Sequence, residues 1–130
     1  MYIHDNPFGC CPGGHVELNE DTRTAVAREL SEELYFDVEI KELLYIHENF
    51  FNVGNTKFHE LCYYYKAVPK DKNVNMEELT WEEIDKGQKL THRFIWVDKD
   101  KLLNQWAEPK VVFQKYLKDP NKFEHFITRE

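Results

Sequence analysis

A chain of 130 residues fits one domain, and its 42% hydrophobic and 15% aromatic content is enough to build a core, which argues against disorder. The formal net charge of -7 and pI near 5.4 argue against a nucleic-acid backbone as the main partner, because phosphate binding needs a basic surface. The same charge disfavours a small anionic substrate unless metal cations, Mg²⁺ or Mn²⁺, stand between it and the protein.

Three cysteines occur, the adjacent Cys10 and Cys11 and the distant Cys62. An odd count with no signal-like apolar leader reads as a reduced, cytoplasmic protein. No apolar run approaches the roughly 18 residues of a membrane span. No second Cys or His pair gives Cys10 and Cys11 a zinc-type spacing.

In chain order, Met1 to His4 is predicted as a short strand fragment, Asn6-Pro7-Phe8-Gly9 as a turn and Pro12-Gly13-Gly14 as a tight loop. His15 to Leu18 alternates as a short strand does. From Asp21 to about Leu34 the pattern is helical, with Val26, Leu30 and Leu34 recurring every four residues and Asp21 or Thr22 as the start signal. Val38 to Phe51 and Phe58 to Val68 are rich in β-branched and aromatic residues and read as strands, with Asn52-Val53-Gly54-Asn55 as their hairpin loop. Residues 69 to 92 are polar, with helix expected around Trp81. Arg93 to Val97 reads as a strand and Lys99 to Trp106 as a short helix capped by Asp98. A second helix is expected from Pro109 to about Leu117, and a last extended segment over Phe123 to Ile127. Strands and helices interleave without a βαβ repeat, so the expected fold is α+β, a mixed sheet packed between helices in a single domain, 1–130.

The chemistry concentrates between Gly14 and Glu33. Glu29 lies three positions before Glu32 and four before Glu33, so on a helix the three share one face. Like charges at that spacing cost an isolated helix a few tenths of a kcal/mol per pair. A divalent cation converts the repulsion into a site, because hard cations take several carboxylate oxygens. The bland alternative for any E-x-x-E-E is a solvated acidic face. Here Gly13-Gly14 lets backbone approach a ligand closely, and Arg28 stands beside the acids, placed to pair with Glu20.

The segment resembles the Nudix box, G-x5-E-x7-R-E-U-x-E-E-x-G-U with U aliphatic. Gly14, Glu20, Arg28, Glu29, Leu30, Glu32 and Glu33 all fall in register, and Pro12-Gly13-Gly14 resembles the family's P-G-G entry. The resemblance implies an α/β/α sandwich and a catalytic set of Glu29, Glu32, Glu33, Arg28 and Glu20. Within it the metal ligands are Glu29, Glu32, Glu33 and the Gly13 carbonyl, while Arg28 and Glu20 support the loop. Gly14, Phe50 and Tyr64 are the candidate substrate contacts. For the general base the candidates are Glu33, Glu77, Glu78, Glu82 and Glu83.

Two departures from the pattern stand out. Tyr35 replaces the glycine that closes the helix, which predicts a remodelled exit; Asn19, where glycine is frequent, is a milder change because Asn tolerates left-handed geometry. Only eleven residues precede Pro12, so the usual N-terminal strands are expected to be missing, leaving an open edge that favours a homodimer.

The activity implied is pyrophosphohydrolysis of a nucleoside diphosphate joined to another moiety: a nucleoside triphosphate, a nucleotide sugar or ADP-ribose. A non-catalytic nucleotide or ADP-ribose sensor is the alternative, and an isomerase on the same scaffold would need a catalytic cysteine that Cys62 does not clearly supply. His47, His59 and His92 read as structural or surface histidines.

Overall fold

A computed structural model of the chain describes residues 2–5, 9–34, 36–71, 73, 79–85, 87–97 and 108–130, with the backbone alone described for 2–5, 9, 79–85 and 88–96. Its elements run β1 (Tyr2–Asp5), β2 (Gly9–Cys10), α1 (Thr22–Glu33), β3 (Val38–Val53), β4 (Thr56–Pro69), β5 (Leu79–Asp85), β6 (Gln88–Trp96), α2 (Lys110–Lys118) and β7 (Glu124–Arg129). The expected turn at Asn6 to Phe8 and the expected helix from Lys99 to Trp106 lie outside the described residues.

The strands form two sheets. One has four strands in the order β2-β1-β6-β5, antiparallel throughout. The other has three, in the order β4-β3-β7. It is mixed, because β3 runs antiparallel to β4 and parallel to β7. The α+β class and the mixed sheet are as the pattern of elements predicted. The leading segment does enter a sheet: Tyr2, Ile3 and His4 pair with Trp96, Ile95 and Phe94.

α1 starts where predicted. The Asp21 carboxylate accepts from the Thr24 N–H at 2.7 Å and satisfies one of the donors a helix leaves open at its first turn. Its apolar stripe goes inward, with Leu30 and Leu34 buried and Val26, Phe36, Val38 and Ile40 packed around them. The helix closes at Leu34, whose backbone is already extended while its N–H still reaches the Leu30 carbonyl at 2.8 Å. That exit uses no left-handed residue at Leu34; Tyr35 lies outside the described residues.

β3 and β4 form a long hairpin whose tight turn is Gly54-Asn55, between the paired Val53 and Thr56. Gly54 has φ +60, a value suited to the first central residue of a two-residue hairpin turn. Asn52 and Val53, expected in the loop, belong to the strand. A second core forms where α2 lies on this sheet, around Leu44, Tyr45 and Val112, with Tyr64, Tyr116 and Phe126 packed against it.

Two expectations are corrected. Residues 79–85 are strand, not helix around Trp81: all seven pair with β6, and Gly87 at φ +79 lies in the turn between them. Tertiary pairing supplies that ladder, and the local charge pattern carries no trace of it. His15 to Leu18 is loop, not strand, because its polar groups serve the helix entry. The His15 carbonyl accepts from Arg28, and Glu17 exchanges hydrogen bonds with Glu20.

Candidate active site on helix α1

The site is assembled by one guanidinium. Arg28 donates from Nε to Glu20 Oε2 at 2.8 Å and from Nη2 to Glu20 Oε1 at 3.0 Å, the two-pronged geometry in which Arg binds a carboxylate best. Nη2 also reaches the His15 carbonyl at 3.1 Å. Nη1 donates to Glu29 Oε1 at 3.0 Å, with Glu32 at 3.5 Å and Glu17 at 3.8 Å. One side chain therefore ties the loop before the helix to the acidic face of the helix.

The Arg28 hydrogen bonds, with that from the Glu17 N–H, hold the Glu20 carboxyl far below the usual carboxylate range, at about 2. The reciprocal bond from Glu20 holds Arg28 firmly charged. Asn19, just before Glu20, has φ +64 and takes the left-handed conformation that its side chain tolerates.

Gly13 and Gly14 set the floor. The Gly13 N–H donates to Glu33 Oε2 at 3.1 Å. A Cβ built at Gly14 would overlap the carboxylate of Glu29, so the absence of a side chain there leaves the space that Glu29 fills. Glu29 is mostly covered, its side chain 17% exposed, whereas Glu32 at 60% reaches into solvent.

Hard carboxylate oxygens on one helix, beside a glycine that only a missing Cβ allows, are the donor chemistry a divalent cation takes. Their arrangement is spread rather than gathered. Among the described residues no three Asp, Glu, His or Cys side chains meet at one point. Electrostatics gives the reason: Arg28 draws Glu29 and Glu32, while the Gly13 amide takes Glu33. Glu20 and Arg28 sit as the supports the sequence implied.

The remaining candidates are not brought to one place. In the β3–β4 register Tyr45 faces Tyr64 and Phe50 faces His59, so Tyr64 and Phe50 lie on opposite faces of the sheet. Phe50 is stacked on His59 at 4.0 Å and capped by Arg129 at 4.1 Å, far along the hairpin from the segment of β3 that packs on α1. Tyr64 is half-buried, edge-on to Tyr45. Glu77 and Glu78 lie outside the described residues, as do the side chains of Glu82, Glu83 and His92.

Sequence reasoning placed the Gly13 carbonyl in the site but missed the Gly13 N–H as a donor to Glu33, the His15 carbonyl as an acceptor for Arg28, and the bond between Thr22 Oγ1 and the Tyr65 hydroxyl at 2.7 Å that pins the start of α1 to β4. None of these has a periodic signature. The thiols are poor nucleophiles at neutral pH. Burial pushes Cys11 up to about 12 and Cys62 up to about 11, and burial with the nearby Glu33 raises Cys10. A catalytic thiol, as an isomerase reading would need, has no support in that environment.

The α+β architecture, with its mixed sheet and the capped helix α1, is that of a Nudix-type fold. The NUDIX domain family model matches residues 3–116, and the chain belongs to that family, whose function is in general of the Nudix hydrolase type. No curated protein matches the chain. No described helix is long and apolar enough to cross a membrane.

Proposed function

We propose that the chain is a pyrophosphohydrolase that uses Mg²⁺, or Mn²⁺, to cleave the diphosphate linkage of a nucleoside diphosphate joined to another moiety, in the class of nucleoside triphosphates, nucleotide sugars and ADP-ribose. The observation that carries the reading is the fit of the Glu29 carboxylate into the space left by Gly14, with Arg28 anchored on Glu20 beside it. Glu29, Glu32, Glu33 and the Gly13 carbonyl would hold the cation. Once bound, it would supply charge neutralisation at the phosphate oxygens and a lowered pKa for the attacking water.

The chain's own residues do the rest. Arg28 positions Glu29 and Glu32 and compensates their charge. The Gly13 amide orients Glu33, so that Glu33, the box candidate for general base, presents its carboxylate at a defined place. The free thiols suit a reducing, cytoplasmic setting.

Incubation with a panel of nucleoside triphosphates, dinucleoside polyphosphates, nucleotide sugars and ADP-ribose, with and without Mg²⁺, tests the proposal. Release of phosphate or nucleotide from at least one compound is expected, dependent on Mg²⁺ and abolished by Glu32→Gln. Binding of a panel member without turnover would replace the enzyme by a sensor, and turnover that survives Glu32→Gln would remove the box from the mechanism.

A further inference from the structure

β4 ends its sheet: among the described residues no strand pairs with its outer side. It is fourteen residues long, with Thr56 to Leu61 all exposed and Tyr63 exposed beyond them. A long edge of this kind is a template for another strand unless charge, proline or a bulge blocks it. Pro69 is its last residue, and the register irregularities opposite Tyr64 to Ala67 place their extra residues on β3, so β4 itself runs without an inserted residue from Lys57 to Val68.

The partner that fits is a second copy. When two β4 strands meet antiparallel about a two-fold axis normal to the sheet, opposed residues share a face and their numbers have a constant even sum. A centre at Tyr63 sets Glu60 of each chain opposite Lys66 of the other, two opposite-charge pairs from one strand sequence. The same register sets Leu61 against Tyr65 on one face and Phe58 against Val68 on the other. A centre at Glu60 would oppose like charges, one at Leu61 would set Lys66 against Thr56, and one at Cys62 would set Lys66 against Phe58. Within their own chain Lys66 has a 3.9 Å approach to Glu42 and exposed Glu60 accepts from the Cys62 thiol at 3.7 Å, long contacts that leave both side chains able to pair outward. Leu61 is 58% exposed, an apolar surface that a neighbouring strand would cover.

We propose that β4 is a homodimer interface, joining two sheets edge to edge about Tyr63. The dimer does not depend on the hydrolase assignment, since Glu60, Tyr63 and Lys66, the residues that set its register, are not among the candidate site residues.

Sedimentation or light scattering over a concentration series tests it, with circular dichroism as the check on folding. The full chain is expected to approach twice its 15.7 kDa mass. Glu60→Lys should weaken association about tenfold, because each symmetric dimer loses two attractions and gains two repulsions. The double variant Glu60→Lys with Lys66→Glu should restore it. Tyr63→Cys should form an intermolecular disulfide in a glutathione redox buffer, since opposed residues lie within the Cα separation a disulfide spans. A monomer at every concentration overturns the proposal, as does a dimer indifferent to the charge changes or one in which Tyr63→Cys does not cross-link.

Discussion

Gly14→Ala isolates the feature on which the site depends. The added Cβ would overlap the carboxylate carbon and both oxygens of Glu29, its three nearest atoms. Those atoms are the far end of a flexible side chain, so Glu29 can rotate away while the backbone stays, and Gly14 carries no left-handed φ for alanine to strain. Stability should therefore change by less than about 1 kcal/mol. Function should not be spared. Glu29 must leave its 3.0 Å contact with Arg28 and move by about an ångström, a displacement worth roughly 10²-fold when it affects a catalytic group. Thermal unfolding, Mn²⁺ binding followed by electron paramagnetic resonance, and steady-state kinetics would be run side by side. The expected result is an unchanged melting temperature with weakened Mn²⁺ binding and kcat down about 10²-fold. Wild-type Mn²⁺ affinity and turnover in a folded Gly14→Ala protein would refute the assignment of Glu29 as a ligand.

Other perturbations separate support from core. Arg28→Lys keeps the charge but loses the two-pronged bond to Glu20, and should lower the urea midpoint of unfolding; an unchanged midpoint would mean that the fork does not hold the loop. Leu30→Ala, in the buried cluster beneath α1, should cost about 2–5 kcal/mol, and a loss below about 1 kcal/mol would contradict the packing described. His47 is fully buried, with Nε2 bonded to Thr128 Oγ1 at 2.7 Å and Nδ1 without a partner among the described residues, and burial holds its pKa below the ordinary value. Because the unfolded chain then binds the proton more readily than the folded one, stability should be complete above about pH 6.5 and fall as the pH drops below it. His47→Gln should flatten that acid limb of the melting-temperature profile, and an unchanged slope would assign it to other groups.

Much of the site was legible because it is local. Spacing placed Glu29, Glu32 and Glu33 on one helix, the start signal at Asp21 found its cap, and the pairing of Arg28 with Glu20 followed from their positions on either side of the helix entry. The Val26, Leu30 and Leu34 stripe likewise predicted the inward face. The strand over residues 79–85 was not legible, since Thr80, Glu82, Glu83 and Asp85 give no apolar alternation and only pairing with β6 defines it. The loop at His15 to Leu18 failed in the opposite direction: alternation was present, but the backbone groups were committed to Glu20 and Arg28.

What the sequence determines by itself is therefore the acidic helix, its cap, its acids and the residue types that suit a divalent cation, all set by contacts within twenty positions or so along the chain. What only the tertiary structure decides is where those groups point. Arg28 spreads Glu29 and Glu32 while Gly13 holds Glu33, and Gly14 owes its importance to a side chain fifteen positions away in sequence. The separation of Tyr64 from Phe50 and the exposed edge of β4 are decided in the same way, because sheet order and register depend on which strands meet, and local periodicity carries no record of that choice.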